Sequence, residues 1–390
     1  MQTPHGISNT ATRRVLGTMT GTSIDGDLDA ALVEITGRGL AMRARFVDGV
    51  SHPLGNLAHD LRRVARQEPL AAGELARIAR AFGEVHADAL ERLGAIAPAR
   101  PDLAVLHGQT VFHAPPLTFQ LLDPWPVATR LRCRVRYDLR GANVASGGQG
   151  APITPLADFV LFGGSEDSIV MNLGGFINAT FVPARSTCDA PPTDGALRHP
   201  VESIRGFDAC ACNHLLDEVA RARLGAAFDA DGEAALRGVA DMRIAEAISR
   251  EIAPPGRAGG SRRSLGTGDE AARLVAHTAA LAPADACRTV VEAIADAAAR
   301  VVAEEIPVRA ASILVAGGSA RNRALREALT RRFGTPVRTT HESHGIPVEM
   351  REAAEIAILG ALADDGVRYC LPQVTGAASR APDSALIEPL

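Results

Sequence analysis

The sequence predicts an α/β protein built as two related lobes with a cleft between them. Three observations carry this expectation. The chain has 390 residues, enough for two domains at roughly 100–200 residues each. Runs with strand character alternate along it with segments of helical spacing. Each half opens on a hairpin punctuated by glycines and only later alternates helices with strands.

Taken in order, 14–19 (RVLGTM) reads as a strand leading into the turn Thr20-Gly-Thr-Ser-Ile-Asp-Gly26, and 29–36 and 41–50 complete a three-strand meander. Segments 54–67 and 72–93 have helical spacing and good helix formers. A short apolar strand, 103–106, runs into His107-Gly-Gln-Thr110, and 118–122 and 134–138 read as two more strands. The breaker cluster Gly147-Gly-Gln-Gly-Ala-Pro152 precedes a helix over 155–162. The second half repeats this grammar. Strand 168–173 ends in Gly174-Gly175, and 176–182 returns as the next strand. The polar stretch 184–200 reads as an exposed loop. Helices are expected over 215–224, 233–252, 268–281 and 284–305, strands over 312–315 and 337–340, and helices from Asn322 and over 349–364. Residues beyond Val367 read as a terminal tail.

Composition excludes several chemistries. All 41 cationic residues are arginine, so a Walker-type lysine, a Schiff-base lysine and a lysine general base are ruled out. Phosphate chemistry here must use backbone amides, arginine and metal. A net charge of −4 and 4% aromatics give no footprint for nucleic acid. No apolar run reaches a membrane-spanning length, and Met1–Arg14 lacks the apolar stretch of a signal peptide. Six scattered cysteines without a CxxC pair read as reduced thiols of a cytoplasmic protein.

Three strand-to-glycine junctions could hold an anion: Gly17–Gly26, Asn172–Asn178 and Val315–Asn322. Glycine lets backbone approach a ligand, and successive N–H groups can wrap phosphate oxygens, helped in the first turn by Thr22 and Ser23. Asp25 would suit a magnesium ion held through water. Each junction also reads as an ordinary hairpin or tight βα loop. Together they suggest a nucleotide clamped between two lobes. Asp208 follows strand-like residues and precedes a helix, so a turn position is expected, as a general base or as a helix N-cap. His107 and Gln109 end a buried strand, and Asp138 and Arg140 end another, where the arginine could clamp an acidic substrate. Glu349, Glu352 and Glu355 have the spacing of a solvated helix face. Cys210, Cys212 and His214 lack a fourth ligand and the usual zinc spacing. Trp125 reads as a packed loop residue.

The ordered motifs resemble one family. Gly17-Thr-Met-Thr-Gly-Thr-Ser-Ile-Asp-Gly26, then His107-Gly-Gln-Thr110, Gly147-Gly-Gln-Gly-Ala-Pro152, Asn172-Leu-Gly-Gly175, Gly206-Phe-Asp208, Ala316-Gly-Gly318 and Glu352-Ala353 are similar to the signatures of 1,6-anhydro-N-acetylmuramic acid kinases, with much shared by levoglucosan kinases. The resemblance covers about residues 14–362. It implies the actin-like ATPase and sugar-kinase fold, two ribonuclease H-like lobes closing on ATP and Mg²⁺. Residues 1–150 would form the N-terminal lobe, completed by 362–390, and 151–361 the C-terminal lobe. It further implies a cytoplasmic homodimer that opens the 1,6-anhydro ring with water while phosphorylating O6, giving N-acetylmuramic acid 6-phosphate in peptidoglycan recycling.

By the same carry-over, Asp208 matches the base acting on the attacking water. Gly21, Thr22, Ser23, Asp25 and Gly26 match the phosphate loop, with Asn172, Gly174, Gly175, Gly317 and Gly318 also at the nucleotide. His107, Gln109, Arg140 and Glu352 fall where the family builds its sugar pocket. The chain departs from the pattern in three places. Ala209-Cys-Ala-Cys212 replaces Thr-Gly-Pro-Gly, Asn143 replaces an aspartate, and Arg263–Gly268 only echoes a Lys-Ser-Thr-Gly-Arg-Glu segment. Cβ atoms in place of glycine could block a backbone that approached the ligand. The alternative to an active kinase is therefore a catalytically impaired paralogue that binds nucleotide or sugar as a module.

Overall fold

The computed structural model describes residues 12–21, 24, 26–97, 99–185, 200–253, 271–306, 308–377 and 384–389. Its contacts divide the chain into two units, Met1–Leu161 with Met350–Leu390, and Phe162–Glu349. The sequence-based boundaries of 150 and 361 are thus displaced to 161 and 349. The physical reason is the helix Arg351–Asp364, which is buried along most of its length in the first unit.

Among the described residues, thirteen strands make the sheets: β1 (Arg13–Met19), β2 (Asp27–Thr36), β3 (Arg43–Pro53), β4 (Leu103–Leu106), β5 (Gln109–Ala114), β6 (Leu117–Leu121), β7 (Arg134–Tyr137), β8 (Ser168–Leu173), β9 (Phe176–Val182), β10 (Arg205–Ala211), β11 (Ser312–Ala316), β12 (Val337–Thr339) and β13 (Ala385–Ile387). In the first unit the order is β13-β7-β4-β1-β2-β3. The meander β1–β2–β3 is antiparallel, β4 joins β1 in parallel, and β7 joins β4 in parallel. The second unit repeats this plan as β10-β9-β8-β11-β12. Here β8–β9–β10 is antiparallel, and β11 and β12 add in parallel beside β8. Each unit therefore has the ribonuclease H-like sheet, and the chain has the actin-like ATPase and sugar-kinase fold class.

Burial explains the sequence pattern. All four residues of β4 and the middle of β1 are buried, as parallel strands covered on both faces require. The edge strand β3 carries Arg43, Arg45 and Asp48, which discourage further pairing. Helix Ala72–Ile96 buries Ile78, Phe82, His86, Leu90 and Leu93, one stripe at helical spacing. Helix Arg351–Asp364 lies close on β1. A Cβ at Gly17 would sit 2.1 Å from the Ala353 carbonyl oxygen, and one at Gly360 would sit 2.2 Å from Val105 Cγ2 of β4.

Several expectations are corrected. Residues 109–114 form β5, which pairs with β6 in a separate hairpin. The expected helix 233–252 breaks into Glu233–Arg237 and Met242–Ile252. Gly238 packs against the Ala284 carbonyl where no Cβ would fit, and Asp241 caps the second piece by accepting from the Arg243 and Ile244 amides. The supposed tail includes helix Pro372–Thr375 and β13, antiparallel to β7. Trp125 opens the helix Trp125–Leu131 and is 48% exposed, so it is not a packed loop residue. Glu355 is fully buried rather than on a solvated face. Arg351 reaches both Glu355 (2.8 Å) and Asp158 (2.6 Å), which offsets charge that burial would otherwise forbid.

Candidate active site

In the second unit, three neighbouring strands bring polar residues into one row. Asn172 of β8 pairs in register with Asn178 of β9, and Asn178 pairs in register with Asp208 of β10. Register partners on adjacent strands share a face of the sheet. Asn178 Nδ2 donates to Asp208 Oδ1. Asp208 is thus neither in a turn nor a helix N-cap, as the sequence suggested. A bulge between Asp208 and Cys210 carries β10 onward to Ala211, opposite Phe176.

The glycine turns meet this row at Asn172. Gly317 has φ +84°, and a Cβ there would sit 2.7 Å from Asn172 Oδ1 and 2.9 Å from the Leu173 carbonyl oxygen. At Gly175 a Cβ would lie 2.6 Å from the His214 ring, which Phe176 meets edge-on at 5.2 Å. The β8–β9 turn also docks on the start of helix Asn213–Leu224. Gly175 accepts from the Cys212 amide at 2.9 Å, and Gly174 accepts from the Asn213 amide at 3.0 Å. Ser319 donates from its hydroxyl to Asn213 Oδ1, which ties the third glycine turn to the same helix.

Gly174 and Gly318 differ from Gly317. At either position a Cβ would meet no atom of the chain closer than 3.4 Å. Nothing in the fold demands glycine there, so the absent side chains leave room for a ligand to reach backbone. Asn172 Oδ1 is buried and has no hydrogen-bond partner among the described residues. A buried carbonyl oxygen without a donor beside two open glycines suits a polar ligand such as a nucleotide.

The cysteines that replace the family's glycines face inward. Ala209, Cys210 and Cys212 are fully buried in the core of this unit. Their Cβ atoms therefore fill the core and not the space over the sheet. Burial pushes the Cys212 thiol up to about 12, so it is no thiolate ligand. Cys210 directs its thiol toward the Ile294 carbonyl at 3.9 Å. Among the described residues, no cluster of three or more His, Cys, Asp or Glu is placed to hold a metal ion.

The first unit gathers a second polar group beyond β4. His107 and Gln109 are 2% and 1% exposed. Arg140 directs Nε and Nη2 at His107 Nε2 (3.3 and 3.2 Å), Gln120 Nε2 does so at 3.0 Å, and Arg140 Nη1 donates to the Gly150 carbonyl at 2.7 Å. Nε2 must then be the acceptor and Nδ1 the protonated nitrogen. Burial, with the Arg140 charge adding to it, holds His107 well below the usual imidazole range. It is a neutral hydrogen-bonding group at physiological pH, not an acid. Its Nδ1, together with Gln109 Oε1, Gln120 Oε1 and Thr20 Oγ1, is buried without a partner among the described residues. Two donors, the His107 Nδ1–H and the Thr20 hydroxyl, together with several acceptors suit the hydroxyl and amide groups of a sugar.

The remaining described residues expected at the site belong to the first unit. Gly21 accepts from the Ile24 amide, and Gly26, at φ +129°, accepts from the Leu54 amide. Arg62, which sequence reasoning did not single out, holds this turn by donating twice to the Ile24 carbonyl (2.7 and 3.1 Å). Thr22, Ser23 and Asp25 lie outside the described residues, as does the segment 263–268. Glu352 sits in the first turn of helix Arg351–Asp364, where its charge bears on Arg351 and Glu355. Asp138 accepts from the Gly141 amide where the short helix Gly141–Ala145 begins. Asn143 holds the glycine-rich loop, accepting at Oδ1 from the Gly150 amide and donating to Thr375 Oγ1. The Thr375 hydroxyl gives its own hydrogen to the Leu371 carbonyl and accepts from Asn143, so the amide supplies a donor that a carboxylate lacks.

The chain is similar to known proteins along nearly all of its length. Residues 13–387 match the family model for anhydro-N-acetylmuramic acid kinase. A protein of that name from Acidiphilium cryptum is 31% identical over 96% of this chain and 98% of its own length. Those from Salinibacter ruber (33%, covering 97% and 96%) and Bordetella pertussis (35%, covering 94% and 93%) are similar over the same extent.

Proposed function

Because the chain belongs to the anhydro-N-acetylmuramic acid kinase family, we propose that it phosphorylates 1,6-anhydro-N-acetylmuramic acid with ATP and opens the anhydro ring in the same reaction. The observation that carries this reading is the continuity of Gly317, Asn172, Asn178 and Asp208 within one unit. It puts a carboxylate on the same sheet face as the asparagine that lines the glycine turns.

In this reading Asp208 accepts a proton from water as the water oxygen attacks the anomeric carbon. The bond from that carbon to O6 breaks, and O6 takes the γ-phosphoryl group as the bond to ADP breaks. The products are N-acetylmuramic acid 6-phosphate and ADP. Gly174, Gly175, Gly317 and Gly318 offer backbone to the nucleotide, and the Asn172 carbonyl oxygen offers it an acceptor. His107, Gln109 and Arg140 orient the sugar. Mg²⁺, when bound, offsets phosphate charge in a chain that has no lysine to do so, with Asp25 as its expected outer ligand. The same reading has the enzyme work as a cytoplasmic homodimer.

The test is transfer from [γ-³²P]ATP with Mg²⁺ to 1,6-anhydro-N-acetylmuramic acid and to levoglucosan, run beside Asp208→Asn. Labelled sugar phosphate that falls at least about a hundredfold in Asp208→Asn is expected, since a positioned base contributes roughly 10²–10⁴-fold. Undiminished transfer by Asp208→Asn would refute the role of the carboxylate. ATP binding in a calorimeter without transfer to either sugar would replace the kinase with the binding-module reading.

A further inference from the structure

We infer that Asn178 is a positioning residue for the reaction, acting through Asp208. This rests on the proposed role of Asp208 as base. Asparagine is among the poorest strand formers, yet Asn178 occupies β9, paired on both sides by β8 and β10. Its sequence neighbours Ile177 and Ala179 are buried apolar residues of the core on the opposite face. Packing alone would be served better there by valine or threonine. What asparagine supplies is an amide N–H, which is donated to Asp208 Oδ1.

That bond acts in two ways. A donor fixed on the sheet sets the direction in which the carboxylate plane faces, next to a bulge that would otherwise leave Asp208 freer to turn. A neutral donor also favours the ionised form, the one able to take a proton from water. The amide nitrogen cannot itself accept that proton, so Asn178 orients the base without competing with it. In register with Asn172 on its other side, the same side chain spaces the base from the nucleotide turn.

The test compares Asn178→Ala and the isosteric Asn178→Asp with the unmodified enzyme, and sets Asn178→Ala in the Asp208→Asn background. Both single variants are expected to lose about ten- to a hundredfold in kcat, the worth of a hydrogen bond to a charged group. The KM values for ATP and sugar stay within about threefold, because the loss falls on the transition state. In the Asp208→Asn background, Asn178→Ala is expected to cost nothing further, because its effect passes through Asp208. Full activity in Asn178→Asp, which fills the same space without offering a donor to Asp208, would overturn the inference. So would a rise in KM with kcat unchanged, or the full Asn178→Ala penalty persisting without Asp208. If Asp208→Asn itself retains full transfer, it is the proposed function that fails.

Discussion

Substituting Gly17→Ala should destabilise the first unit severely although it adds one methyl group. The new Cβ would lie 2.1 Å from the Ala353 carbonyl oxygen, 2.5 Å from the Ala357 amide nitrogen and 2.9 Å from Ala357 Cβ. Ordinary carbon–oxygen contact begins near 3.3 Å, so helix Arg351–Asp364 would have to move by more than about 1 Å. It cannot pivot cheaply, because its far end is equally tight where Gly360 meets Val105. The two nearest atoms are backbone and the third is an alanine Cβ, none of which has a rotamer to adopt. The cost therefore belongs at or above the upper end of overpacking, about 3 kcal/mol. For a unit of this size that is roughly 6–12 °C in Tm. Scanning calorimetry at neutral pH measures it, with Gly164→Ala as the control, since a Cβ there would meet nothing within 4 Å. A Gly17→Ala midpoint within about 2 °C of the parent, or one no lower than that of Gly164→Ala, would refute the close-contact account.

Two further outcomes are expected. Gly318→Ala should leave Tm unchanged, because its Cβ meets the chain at no less than 3.4 Å. It should raise the KM for ATP about tenfold or more, as a methyl group in a fitted site does, and an unchanged KM would move the nucleotide elsewhere. Glu355→Gln addresses pH. Burial first, and the Asp158 charge after it, hold Glu355 well above the ordinary carboxyl range in spite of Arg351. A carboxyl raised on folding contributes stability that is present below its unfolded value and is lost as pH rises through the folded one. Glutamine has no such dependence. Urea denaturation should therefore show Glu355→Gln gaining on the parent between pH 5 and pH 8, and a constant difference across that range would count against the buried carboxyl.

Local pattern made much of this architecture readable. The runs 14–19 and 29–36, the buried run 103–106 and the helical stripes of 72–93 and 284–305 became the elements expected. The contact between His107 and Arg140 also formed, because the two residues follow β4 and β7, which are neighbouring parallel strands. What pattern could not reach was nonlocal. β10 contains Gly206, Asp208 and small residues, all weak strand signals, and it exists because β9 pairs with it across a long insertion. Glu355 has the spacing of a surface residue, yet its burial depends on Asp158, whose partner Arg351 lies 193 positions away. Asn178 carried a signal that could have been used: a poor strand former in the middle of a strong strand.

The division of the chain has a consequence for its synthesis. The second unit is one unbroken stretch, Phe162–Glu349, while the first needs Met350–Leu390 to be whole. A ribosome therefore delivers everything the later unit needs before it delivers the helix that covers β1 and β4 in the earlier one. At about 5–20 residues per second, the apolar side of the first sheet waits roughly ten to forty seconds for its cover. The half encoded first is the half that finishes last.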